Sequence, residues 1–205
     1  MTETRGERKE RTRRAILDAA LRLCEDSSLV ALSLRQVAKE VGVVPTAFYR
    51  HFDSIEALGL ELVDESFVSL RAMLLDVRRS DPAFDDIIDS SIGILVEHVH
   101  QQRAHFQFIV RERAAGPLRV REAINTAIEQ FEKELATDLV RLTGTTTWSP
   151  QDLQILSGLI VTAMVGLAEA ILRTPDPGAE RAIVEGARVQ LRMVVVGALN
   201  WRSKL

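Results

Sequence analysis

Apolar positions recur at helical spacing along nearly the whole chain, and no stretch alternates apolar and polar residues in the way that predicts a strand. The first helical stretch covers roughly residues 7–26, with Ile16, Leu17, Ala20, Leu21 and Leu23 apolar. The second follows Ser33, an N-cap whose hydroxyl can accept from a first-turn N–H. Leu34, Val37, Ala38 and Val41 form its apolar face, and Arg35, Gln36, Lys39 and Glu40 its polar one. Gly42 then stands where a helix end favours a left-handed residue. Pro45 suits the first turn of a third helix reaching about residue 51. That helix places Phe48 and Phe52 inside and Thr46, Ala47, Tyr49, Arg50 and His51 outside.

Six more helices are predicted beyond residue 52. They cover about 55–79, capped by Ser54; 82–100, opened by Asp81-Pro82; 102–113, ended by Gly116-Pro117; 118–142, closed by Gly144; 150–173, opened by Ser149-Pro150; and 179–201, after the break at Pro175 to Gly178. The β-prone run Val194-Val195-Val196 lies inside a helical pattern. The fold class is all-α, with a three-helix module over residues 1–53 and a six-helix domain over 54–205.

The last two helices are apolar nearly all round, and such a helix must be buried nearly all round. Leu156, Ile160, Met164 and Leu167 on the first, with Leu191, Val194 and Val195 on the second, are candidates for a homodimer interface. Gly158, Ala163, Gly166, Gly186, Ala187 and Gly197 would allow close helix approach. The other role open to this pair is the central core of a monomer. The interface reading is preferred, because a two-fold dimer is what a helix-turn-helix needs to read a palindrome.

Charge sharpens the division. The 205 residues carry 26 Lys/Arg and 29 Asp/Glu, a formal net charge of −3. Residues 1–52 nevertheless hold ten Lys/Arg against seven Asp/Glu, and residues 5–14 alone hold six cations against two anions. A basic N-terminal module on an acidic body fits DNA binding confined to one end. Residues 33–52 have the form of a helix-turn-helix reader. Tyr49 and His51 can donate to phosphate, Arg50 can pair with phosphate or with guanine, Thr46 offers a hydroxyl and a methyl, and Ala47 fits a thymine methyl. Arg11, Ser33, Arg35 and Gln36 complete the candidate DNA-binding set.

Other classes of function find little support. There is no glycine-rich phosphate loop, nucleophile motif or metal-spaced Cys/His set, so neither enzyme activity nor a metal site is expected. Glu97, His98 and His100 share a helix, but positions 98 and 100 point about 200° apart and cannot share a metal. The single cysteine, Cys24, permits no internal disulfide, which fits a reducing cytoplasm. The N-terminus is charged and lacks a signal-peptide core. Glu169 interrupts the most apolar helix, so no membrane span is expected.

Ser33 to Ala38, Gly42-Val43 and Phe48-Tyr49-Arg50-His51-Phe52, with the chain length and helical layout, resemble the TetR family of bacterial transcriptional repressors. The resemblance implies a homodimer whose last two helices form a four-helix bundle. It also implies a second domain that encloses an effector, whose binding alters the spacing of the two DNA-reading heads. Most members carry a lysine near the start of the fourth helix, often in contact with phosphate; here that position is Ile55. Leu58-Gly59-Leu60, Leu62 to Ser66 and Val110-Arg111-Glu112-Arg113 are similar to the subgroup containing FabR and DesT, which also lacks the lysine. That likeness implies control of fatty-acid synthesis or desaturation and a long-chain acyl-CoA or related thioester as effector, with no other cofactor. The alternative is a repressor of an efflux or catabolic gene that responds to another hydrophobic small molecule.

Aromatic residues are only 5% of the chain, so any pocket would be mostly aliphatic, which suits an acyl chain. Candidate lining residues are Phe67, Leu70, Leu74, Phe84, Ile88, Ile92, Phe106, Ile109 and Phe131, each of which could equally be ordinary core. Arg111 and Arg113 could meet a phosphate-bearing carrier group or could brace the domain by pairing with Glu112, Asp64 and Glu65.

Overall fold

A computed structural model of the protein describes residues 4–80, 86–140 and 148–203. Among these residues every regular element is helical: α1 (Arg5–Asp26), a 3-10 turn (Leu29–Ala31), α2 (Leu34–Val41), α3 (Pro45–Phe48), α4 (Ile55–Ser80), α5 (Ile87–Gln101), α6 (Arg103–Ala115), α7 (Leu118–Leu139), α8 (Pro150–Arg173) and α9 (Pro177–Leu199). The 3-10 turn is additional to the sequence expectation. The expected features at Asp81-Pro82, Phe84 and Gly144 lie outside the described residues, as does the side chain of Leu74.

Caps explain most helix starts. Thr4 with Glu7 and Ser33 with Gln36 form reciprocal capping boxes at α1 and α2. Ser54, Ser149 and Asp176 accept from backbone N–H groups in the first turns of α4, α8 and α9. Gly42 ends α2 at φ 73°, the left-handed conformation that glycine adopts without a Cβ clash.

The chain divides into two compact units. One comprises residues 1–69 and 104–125, the other 70–103 and 126–205. The expected boundary after residue 53 marks the end of the reading motif; the packing unit around that motif also takes in the first part of α4, most of α6 and the start of α7.

In the first unit α1 packs on α2 and α2 on α3. Ile16, Val37, Phe48, Leu58, Leu62, Phe108 and Ile124 are fully buried. The sequence segment 110–113 turns out to be a brace for this unit. Glu112 is fully buried, and its carboxylate accepts from Leu29 N–H at 3.0 Å and from Ser28 Oγ at 3.2 Å. Arg111 donates to the carbonyls of Cys24 and Ser27 at 2.8 and 3.0 Å, capping the C-terminal end of α1. Of the two roles open to Arg111, bracing is the one these bonds describe, and its partners are backbone carbonyls rather than the expected carboxylates. Arg113 is exposed. Gly59 belongs to the same brace, because a Cβ there would stand 2.5 Å from Leu29 Cδ1.

In the second unit α8 packs on α9, and α5 packs on both. Leu153, Leu156, Leu167, Ile171 and Leu191 are buried within the chain itself. Three of the expected interface residues, Leu156, Leu167 and Leu191, are therefore core residues of the protomer; Ile160, Met164, Val194 and Val195 are half-buried. The solvent-facing apolar positions are different ones. They include Ile155, Leu159 and Gly166 on α8, with Thr162 between, and Gly186, Val189, Met193, Val196 and Leu199 on α9. Both sets run at steps of three or four residues. Gly166, Gly186 and Gly197 have nothing within 4 Å of where a Cβ would be.

By length and composition α8 could also cross a membrane, which corrects the expectation that Glu169 interrupts it; it is the one such helix among the described residues. Its buried leucines, Leu153, Leu156 and Leu167, dock it on the rest of the unit. His98 and His100 turn to different partners, Asp76 on α4 at 3.1 Å and Glu180 on α9 at 2.9 Å.

Candidate nucleic-acid interface

Local sequence builds the reading head from the inside out. Phe48 and Phe52 are buried with their ring centroids 5.7 Å apart, and they anchor the segment after Gly42 to the module. The third helix is shorter than predicted. Regular α-helix stops at Phe48, and Arg50 and His51 donate to the carbonyls three residues back, at 3.2 and 2.8 Å, in a tightened turn. With the anchors fixed, Thr46, Tyr49 and Arg50 are exposed, while Ala47 and His51 are half-buried. Tyr49 keeps 59% of its surface in water.

The α2 residues divide between structure and surface. Ser33 and Gln36 spend hydrogen bonds on the capping box: Gln36 N–H donates to Ser33 Oγ at 3.2 Å, and Gln36 Oε1 accepts from Ser33 N–H at 2.8 Å. Arg35 and Lys39 are exposed. Arg22 approaches Glu40 at 3.8 Å.

The basic start of α1 also divides. Arg13 makes a bidentate pair with Glu61, and its guanidinium lies 4.8 Å from the centre of the Phe52 ring. Arg14 pairs with Asp18 at 2.6 Å and Glu65 at 2.7 Å. These two cations tie α1 to α4. The remaining cations of the run, Arg5, Arg8, Lys9 and Arg11, lie on the exposed surface of α1.

His51 links the two cationic sets. Its Nδ1 is buried with no hydrogen-bond partner among the described residues. Burial, helped by the nearby Lys9, Arg13 and Arg50 and opposed by Glu10, holds its pKa below the ordinary histidine value. The ring is therefore mostly neutral at pH 7. An adjacent phosphate would favour the imidazolium, so binding would take up a proton. Operator affinity is then expected to rise as the pH falls through the pKa of the bound state, with the gain complete below the lower pKa of the free protein. Anisotropy titrations from pH 8 to 5.5 at fixed salt check this, and His51→Gln should flatten the profile.

The residues named as effector contacts divide between the two units. Phe67, Phe106 and Ile109 are buried in the first. Ile92 and Phe131 are buried in the second, where Leu70 and Ile88 are half-buried. Arg111 is engaged at the end of α1 as described above. Sequence reasoning counted Lys9 only within the basic run and Glu112 only as a partner for Arg111 and Arg113, and it passed over the exposed Val44 ahead of Pro45. Val44 had a visible signal, as an aliphatic residue where a cap is expected.

Comparison with known proteins agrees with this geometry. Residues 16–62 match the family described as bacterial regulatory proteins, tetR family, and residues 84–197 match the tetracyclin repressor-like C-terminal domain. Among solved structures, a transcriptional regulator from Aquifex aeolicus VF5 superposes with a TM-score of 0.67 at 16% identity, over 89% of this chain and 99% of that one. A transcriptional regulator from Rhodococcus sp. Rha1 gives 0.65 at 18% identity, over 95% and 99%. The reduced form of NemR from E. coli gives 0.59 at 18% identity, over 89% and 97%. At these identities the likeness is one of fold.

Proposed function

The chain belongs to the TetR family of bacterial regulatory proteins, DNA-binding regulators of transcription, and on that premise we propose that it is a homodimeric repressor of a palindromic operator. Residues 33–52 of each protomer read one half-site, with Arg11, Arg35, Thr46, Ala47, Tyr49, Arg50 and His51 toward the duplex. The observation that carries the dimer is the exposed apolar stripe on each of α8 and α9. A step of three and four residues is the spacing of a helix-bundle seam, and seams of that kind bury against other helices. The protein works by binding rather than catalysis, in the cytoplasm with its DNA.

The effector in this reading is a long-chain acyl-CoA or related thioester, and the regulated genes serve fatty-acid synthesis or desaturation. Support comes from the likeness of residues 58–66 and 110–113 to the FabR and DesT subgroup, and from an interior in which aliphatic side chains outnumber aromatic ones. The test is operator binding on the DNA flanking the protein's own gene, with oleoyl-CoA, palmitoyl-CoA and free CoA in parallel. A several-fold change in affinity and a rise in melting temperature with an acyl thioester, but not with CoA, are expected. If neither thioester moves either quantity, the lipid reading fails, and a repressor that answers to another hydrophobic molecule replaces it. If no flanking DNA binds, the proposed self-adjacent operator fails.

A further inference from the structure

Four helix starts in the first unit are capped by a side-chain oxygen: Thr4, Ser28, Ser33 and Ser54 each accept from a first-turn N–H. Besides α7, which follows Pro117, the start of α3 lacks such a cap. Its N-cap is Val44, extended at φ −73° and ψ 147°, and it makes no side-chain cap bond. Valine is among the poorest residues at this position, and a serine there would serve the helix better. Nor does Val44 repay the loss by packing. It is 64% exposed, more than any other large apolar residue between Gly42 and Ile55. An aliphatic side chain that neither caps nor packs in the free protein is available to a partner.

The position says where. In a helix-turn-helix the first residues of the second helix meet base edges in the major groove. Of the groups displayed there, the thymine C5-methyl is the apolar one. Ala47, whose N–H donates to the Val44 carbonyl at 2.8 Å, stands one turn on. We propose that Val44 is a specificity-determining residue that reads a thymine methyl in each operator half-site, together with Ala47. The contact discriminates by apolar contact with one methyl group, and cytosine at that position, which lacks the methyl, is disfavoured. This rests on the DNA-binding reading of residues 33–52.

The test uses the full-length protein and the duplex it enriches most strongly from a random library. Each thymine of the half-site is replaced in turn by deoxyuridine, which removes the methyl and keeps the pairing. At one position the wild-type affinity falls about fourfold per half-site, the value of one buried methyl converted to a binding ratio. With Val44→Ser the affinity for the thymine duplex falls by a similar factor, the deoxyuridine effect at that position disappears, and the melting temperature is unchanged or higher because the helix gains a cap. Val44→Ala gives the same loss of discrimination without a new hydroxyl. A duplex that binds tightly but shows no deoxyuridine-sensitive position overturns the proposal while leaving DNA binding intact. So does a sensitivity that persists unchanged in both variants. Enrichment of no duplex at all would overturn the proposal and the DNA-binding reading together.

Discussion

Glu112→Ala is expected to lower stability by about 3 kcal/mol, a loss of roughly 10 °C in melting temperature for a chain of this size. The carboxylate is fully buried and bonded to Leu29 N–H and Ser28 Oγ. Truncation leaves that buried N–H without an acceptor, at about 1–3 kcal/mol, and opens a small cavity in addition. The same group separates geometry from charge. Burial raises its pKa above the ordinary carboxylate value, opposed by the bonds from Leu29 and Ser28 and by the nearby Arg111. A carboxyl with a raised folded-state pKa holds its proton more tightly in the folded chain than in the unfolded one. Its contribution to stability is therefore greatest below the unfolded pKa and declines as the pH rises through the folded pKa. Glu112→Gln keeps an amide oxygen for Leu29 and carries no charge at any pH. Its melting temperature is expected to stay within a few degrees of the wild type at pH 7. Relative to the wild type, it should lack that decline as the pH rises from about 4.5. Thermal melts of the three proteins from pH 4 to 8 measure both effects.

The reading head was legible in the sequence because everything that shapes it is local. A serine three residues before a glutamine caps α2, the apolar positions of α2 fall within eight residues, and Gly42 marks the turn. The shortening of α3 was not legible, because nothing in Tyr49-Arg50-His51 forbids helix; the buried Phe48 and Phe52 set where the turn tightens. Glu112 escaped for the opposite reason. A glutamate between two arginines reads as their ion-pair partner, whereas its actual partners stand 83 and 84 positions earlier in the chain. Arg13 and Arg14 were visible only as two cations of a basic run, while Glu61 and Glu65, which pair with them, lie on another helix. Nor could the outward face of α8 and α9 be read from periodicity. Both helices are apolar on more than one face, so the pattern names no single seam. The docking of α8, α9 and α5 on one another decides that Leu156, Leu167 and Leu191 turn inward and that Ile155, Leu159, Val189, Met193 and Val196 turn out.

That assignment makes the dimer testable with two kinds of substitution that a sequence argument would have treated alike. Leu159 and Met193 are 53% and 70% exposed in the protomer, so glutamate at either costs the isolated fold little. In a two-fold dimer each residue is buried twice, and each apolar side chain withdrawn from water contributes about 1.5–3 kcal/mol. A buried, unpaired carboxylate replaces that gain with a penalty of several kcal/mol. Leu159→Glu with Met193→Glu is therefore expected to give a folded monomer in sedimentation equilibrium, with unchanged helical circular dichroism. Its affinity for a full palindrome should fall at least a hundredfold, because the second half-site is no longer bound at the effective concentration that linkage provides. Binding to an isolated half-site should be nearly unchanged, since residues 33–52 are untouched. Leu167→Ala is the contrast. At 3% exposure it opens a cavity inside the protomer and is expected to cost about 2–5 kcal/mol of stability without changing the subunit count. A double-glutamate variant that still sediments as a dimer would remove the α8 and α9 stripes as the seam and move the search for the interface to another face.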